Sequence, residues 1–149
     1  MAEHTSSSIT IEASPAEVMA VIADFDRYPA WTGEVKQAEV LERDEKGRAA
    51  KVRLVLDAGA IKDDHTLAYS WPDENTVSWS LVKSAMLRQL DGSYSLKPVA
   101  GGRHTEATYM LTVDVKIPML GMIKRKAEKV IIDRALAGLK QRVETVAAS

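Results

Sequence analysis

The sequence predicts an α+β domain: a curved antiparallel sheet of about seven strands wrapped around one long C-terminal helix, with two short helices after the first strand. Three observations lead there. From Val35 to Val113 apolar and polar residues alternate in short runs separated by turn residues, the period-two pattern of half-buried strands. From about Leu120 the apolar period changes to that of a helix. Between the first β-type run and the strand region stands a segment with a full set of helix start signals.

Ser6–Ile11 is the first β-type run. Ser14-Pro15-Ala16-Glu17 then combines a capping serine, a proline at the first helical position and a glutamate that closes a capping box, which predicts a helix from Pro15 to about Asp24. Phe25-Asp26-Arg27-Tyr28-Pro29-Ala30-Trp31 places three aromatics around a proline that resists a straight continuation, so this stretch is a corner holding a second short helix or turn. Strands are predicted at Val35–Arg43, Ala49–Asp57, Ile61–Trp71, Thr76–Val82, Leu87–Lys97 and Thr105–Val115. The turn signals between them, Asp44-Glu45-Lys46-Gly47, Ala58-Gly59, Pro72-Asp73-Glu74-Asn75 and Gly101-Gly102, are short enough to imply an antiparallel meander.

Pro118 breaks the β pattern. Leu120, Ile123, Ala127, Val130, Ile131, Ala135 and Gly138 then recur at helical spacing, flanked by a second apolar set, Ile132, Leu136, Leu139, Val143 and Val146, with Lys126, Lys129, Asp133 and Lys140 opposite. A helix of about 28 residues spans roughly 40 Å, so it must lie across the sheet. Closing the sheet over this helix buries both apolar faces.

At 149 residues, the chain is read as one domain, residues 1–149. Its 46% hydrophobic and 28% charged residues are a globular composition, and no stretch approaches the ~18 uninterrupted apolar residues of a membrane span. The N-terminal residues show no basic segment followed by an apolar one, so a cytoplasmic protein is expected. Cysteine is absent, which removes disulfides, thiolate metal sites and cysteine nucleophiles together. His4, His65 and His104 lack metal-ligand spacing, and the glycines form neither a phosphate-cradling loop nor a G-x-S-x-G elbow. No metal and no cofactor are expected.

A net charge of −1 gives no general attraction for nucleic acid. The charge is uneven, with eight Lys/Arg against three Asp/Glu from Lys116 onward. That basic stretch reads either as a solvated helix face or as a surface for transient contact with an anionic membrane or an acidic partner. Oligomeric state is left open.

The order of elements resembles the START-like, helix-grip SRPBCC superfamily, through Ser14-Pro15-Ala16-Glu17-Val18, Phe25-Asp26-Arg27-Tyr28-Pro29-Ala30-Trp31, Asp91-Gly92-Ser93-Tyr94-Ser95-Leu96 and the Pro118-to-Lys126 approach to the last helix. The resemblance covers nearly the whole chain. Within the superfamily it is similar to the polyketide cyclase/dehydrase and lipid-transport group and to the related coenzyme Q-binding proteins. It implies the helix-grip fold and an internal hydrophobic cavity for a lipid-like, isoprenoid or aromatic molecule. The motifs are architectural, and the group includes carriers, cyclases and members with no known reaction, so activity has to be argued from the site.

Strand alternation assigns the concave wall, since residues two apart share a face. The predicted set includes Val52, Leu54 and Leu56; Ile61, Asp63, His65, Leu67, Tyr69 and Trp71; Val77, Trp79 and Leu81; Arg88, Leu90, Tyr94 and Leu96; and Ala107, Tyr109, Leu111 and Val113. Asp63, His65 and Arg88 are polar intrusions on an apolar face: they pair with one another, orient a ligand, or turn to solvent at a bulge. Tyr28 and Trp31, with Pro118, Met119, Leu120 and Met122, are candidates for the rim, while Ile123 and Ala127 bring the last helix to the ligand.

Three functions compete. The first is a carrier of a small hydrophobic ligand (lipid, isoprenoid quinone or polyketide) bound by Tyr28, Trp31, Leu54, Asp63, His65, Tyr69, Trp79, Arg88, Tyr94, Tyr109, Leu120, Ile123 and Ala127. The second is a polyketide cyclase/dehydratase of the aromatase type, with His65, Asp63 and Arg88 as acid, base and oxyanion stabiliser. The third is a protein-binding adaptor working through Trp31 and the basic helix. Catalytic residue types are scarce and apolar faces extensive, which favours the carrier.

Overall fold

A computed structural model describes residues 5–57, 62–116 and 121–147, with side chains at all of these but 121–123 and 147. Ala58-Gly59, Ile61, Pro118, Met119 and Leu120 lie outside the described residues, as do the side chains of Met122 and Ile123.

The chain runs β1 (Thr5–Ile11), α1 (Pro15–Ala23), a 3-10 turn (Phe25–Arg27), α2 (Tyr28–Trp31), β2 (Val35–Arg43), β3 (Ala49–Asp57), β4 (Lys62–Asp73), β5 (Thr76–Ser84), β6 (Leu87–Val99), β7 (His104–Val115) and α3 (Gly121–Ala147). The predicted capping box starts α1: Ser14 Oγ accepts from the Glu17 N–H at 3.3 Å, and Glu17 Oε1 accepts from the Ser14 N–H at 3.1 Å. The corner is folded on itself, with the Tyr28 hydroxyl donating to the Ile22 carbonyl left open at the end of α1. Gly47, Gly101 and Gly102 take φ of +81°, +70° and +87°, the left-handed conformation that their turns require.

The seven strands form one antiparallel sheet in the order β1-β7-β6-β5-β4-β3-β2, a meander whose first strand returns to pair with the last. Of its register irregularities, one between β4 and β5 and one between β6 and β7 bear on the concave wall. Across β4 and β5, Leu67 faces Leu81 while His65 faces Ser84, so β5 holds one residue more than its partner. The surplus leaves Val82 exposed and turns Ser84 inward beside His65. Across β6 and β7, Leu90 faces Val113 while Leu87 faces Val115, so the surplus residue lies on β6, at Arg88.

Helix α3 packs on β1, β7 and α1. Its deep face is Ile132, Leu136, Leu139 and Val143, all essentially without solvent exposure. These belong to the set predicted as flanking. The set predicted as the main face, Ala127, Ile131 and Ala135 among it, is only partly buried. Glu128 is also fully buried: it accepts from Thr5 Oγ at 2.7 Å, from the Val113 N–H at 2.7 Å and from Lys124 Nζ at 3.1 Å. Thr5 is the first described residue of β1 and pairs with Leu111, and Glu128 supplies the acceptor for the N–H of Val113, two residues along β7.

Candidate functional site

Because α3 covers the β1–β7 side of the sheet, the remaining concave surface encloses a cavity of about 100 Å³. One water needs roughly 10–15 Å³ on this kind of measure, so the space admits a molecule of several heavy atoms. Ile22, Tyr28 and Trp31 close it from the corner, Leu54, Leu67 and Leu111 from the sheet, and Ile131 and Ala135 from α3. The partly exposed lining residues are Tyr28, Trp31, Glu34, Val35, Leu56, Tyr69, Ile131 and Ala135, and most of them lie on α2, the start of β2 and α3, which places the mouth there. There Glu34 is held by Arg134 at 3.2 Å and by the Thr32 hydroxyl at 3.2 Å.

The wall is aromatic opposite that mouth. Trp79 lies 5.6 Å from Tyr69, 5.5 Å from Tyr94 and 5.6 Å from Tyr109 between ring centroids, and Phe25 joins the cluster to the corner at 4.9 Å from Tyr69. Trp79 approaches this closely because its cross-strand partner is Gly92: a Cβ there would stand 2.4 Å from the indole ring. Burial pushes the hydroxyls of Tyr28, Tyr69, Tyr94 and Tyr109 above the ordinary phenol range, so all four stay protonated. Trp31 Nε1 is the one side-chain polar atom among the described residues that is sealed from solvent with no hydrogen-bond partner.

The polar end of the wall is the pair predicted from β4. Asp63 and His65 have side chains 1% and 3% exposed, and His65 Nδ1 lies 3.2 Å from Asp63 Oδ2. Asp63 also accepts from the Ser84 hydroxyl and from the Met86 N–H at 3.1 Å. Asp63 therefore stands behind the wall and His65 lines it. Burial draws the imidazole below its ordinary value, against the opposing pull of Asp63.

The structure brings Tyr28, Trp31, Leu54, His65, Tyr69, Trp79, Tyr94 and Tyr109 together as predicted. It does not bring Arg88. The bulge on β6 turns Leu87 inward and leaves Arg88 outside, 64% exposed, 3.8 Å from Asp114 and donating to the Lys116 carbonyl. Ala127 packs against the core without reaching the cavity, and the helix residues that do reach it lie one and two turns further on. Sequence reasoning missed Ser84, which lies beyond the predicted strand end at Val82 and is turned inward by the bulge, and missed Thr32 and Glu34, which carry no periodic signal. Among the described residues no cluster of His, Asp and Glu could hold a metal ion, and no described helix is long and apolar enough to cross a membrane.

A meander of seven strands gripping a long terminal helix over an apolar cavity is the START-like, helix-grip architecture. Residues 2–144 match the family described as polyketide cyclase / dehydrase and lipid transport, and the chain belongs to it. No curated protein matches the sequence. Among solved structures, a START superfamily protein from Mycobacterium smegmatis is similar at 25% identity and a TM-score of 0.91, covering 96% of this chain and 98% of that one. The protein TTHA0849 from Thermus thermophilus shares 24% identity with a TM-score of 0.78 and 99% coverage of both chains. The Zhui aromatase/cyclase from Streptomyces sp. R1128 shares the fold at 13% identity, with a TM-score of 0.78 over 97% of this chain and 94% of that one.

Proposed function

We propose that this protein binds a small hydrophobic ligand, taking its ring system into the cavity between the aromatic wall and α3. The observation that carries the reading is the wall itself: leucines, tyrosines and Trp79 around a space of about 100 Å³, with the His65 imidazole among the few polar side chains that line it. An isoprenoid quinone or an aromatic polyketide suits a space of this size when only its ring end is enclosed, and the coenzyme Q-binding resemblance belongs to this reading. The basic residues Lys124, Arg125 and Lys126 at the start of α3 would meet anionic headgroups if the ligand is exchanged at a membrane. Native mass spectrometry and organic extraction of protein purified from its own host test the proposal. A co-purified lipid-like or aromatic molecule is expected; no such molecule, together with no binding of a hydrophobic fluorescent probe, would overturn it.

A second reading, an aromatase/cyclase, is favoured by the buried Asp63–His65 pair, the minimum for moving a proton on an enolisable chain. With Arg88 outside the cavity, it rests on two residues rather than three. In the adaptor reading Trp31 would face a partner, but it lines the cavity mouth and is only partly exposed.

A further inference from the structure

The hydrogen bonds around Asp63 fix the chemistry that His65 offers. Ser84 Oγ receives the Leu87 N–H at 2.8 Å and the Met86 N–H at 3.1 Å, so its own hydrogen is directed to Asp63. Asp63 takes that hydroxyl and the Met86 N–H, and so acts toward His65 as an acceptor. Nδ1 must then carry the imidazole hydrogen, which in the neutral ring leaves Nε2 with a bare lone pair. Among the described residues nothing hydrogen-bonds to Nε2, and it is not a sealed atom, so it opens on the cavity that His65 lines. Among the described residues no Lys or Arg lines this space, and the only carboxylate lining it, Glu34, is held at the mouth by Arg134. An anionic ligand would find no counter-charge inside.

Resting on the ligand-binding reading above, we propose that the enclosed end of the ligand is a neutral aromatic or enolic ring bearing a hydroxyl group, which donates to His65 Nε2. His65 is then the residue that sets specificity, and Asp63 and Ser84 are positioning residues that hold its tautomer. A cavity of about 150 Å³ takes up benzene, so one of about 100 Å³ encloses no more than one ring and leaves the remainder of a larger ligand at the mouth. A ligand without a donor fills the same space but leaves Nε2 unpaired.

The test measures binding of 2-naphthol and of naphthalene to the wild-type protein and to His65→Phe by calorimetry. The preference for 2-naphthol over naphthalene is expected to fall about five- to tenfold in His65→Phe, the size of one net hydrogen bond, while naphthalene still binds. A preference unchanged by the substitution overturns the proposal and leaves the cavity reading standing. Binding of neither compound to the wild-type protein overturns both. Should His65→Phe fail to fold, imidazole nitrogen NMR of the wild-type protein decides. Saturation with 2-naphthol is expected to shift the Nε2 resonance while Nδ1 keeps its hydrogen; an unmoved Nε2 resonance overturns the proposal.

Discussion

The two halves of the sheet solve the same burial problem differently. On the β1–β7 side, α3 lies directly on the strands, and Ile132, Leu136, Leu139 and Val143 fill the interface with side chains that have lost essentially all exposure. On the β3–β5 side, Leu54, His65, Leu67, Tyr69 and Trp79 face a space that, among the described residues, the helix reaches with Ile131 and Ala135. Polar groups divide accordingly. The buried carboxylate of the covered side, Glu128, has donors for both its oxygens, whereas the uncovered side presents an imidazole nitrogen and tyrosine hydroxyls to the cavity. Side chains are fully packed where the helix touches, and the cavity lies where it does not.

The largest effect that separates the halves is a matched truncation. Leu139→Ala on the packed side should cost about 3–5 kcal/mol, because a fully buried site cannot collapse around the void. Leu56→Ala at the cavity mouth should cost about 1 kcal/mol, since its side chain already borders open space. Urea unfolding of both variants checks the contrast, and equal losses would erase it.

Glu128→Leu should cost about 2–3 kcal/mol by leaving the Val113 N–H without an acceptor, with Lys124 free to turn to water. Hydrogen exchange at Val113 should then accelerate out of proportion to the rest of β7. Gly92→Ala is expected to cost about 1–3 kcal/mol by driving the Trp79 indole out of its place, seen as an altered near-ultraviolet dichroism from the aromatic cluster.

His65 predicts a smaller effect with a definite sign. Its native pKa lies below the unfolded value of about 6.5, so the unfolded chain binds the extra proton first and stability declines as pH falls below that value. The decline ends once pH is below the depressed native pKa. Comparing denaturant midpoints at pH 7.5 and 5.5 for wild-type and His65→Gln should show a part of the acid loss that vanishes in the variant. Smallest of all, Trp31→Phe removes an indole N–H that has no partner, and should leave stability within about 0.5 kcal/mol.

The fold was legible in the sequence because its signals are local. The Ser14-Pro15-Ala16-Glu17 box starts α1 as read, and the turn residues separate strands close to the predicted boundaries. The site was legible wherever alternation runs unbroken, which is why Asp63, His65, Leu67 and Tyr69 were assigned to the inner face together. Alternation failed at the bulges on β5 and β6, where one surplus residue reverses the face beyond it: Arg88 left the wall and Leu87 joined it, while Ser84 turned inward to Asp63 behind it. Helical period likewise marked two adjoining apolar stripes on α3 without showing which would meet the sheet, since that depends on how the helix is rotated in the grip.

The central claim is that the uncovered half of the sheet encloses a binding site. Titration with naphthalene, followed by NMR of methyl and aromatic groups, tests it most directly. Saturable shifts are expected at Leu54, Leu67, Tyr69 and Trp79, with Leu139 and Val143 unmoved. Shifts that do not saturate, or that spread equally into the packed face of α3, would contradict it.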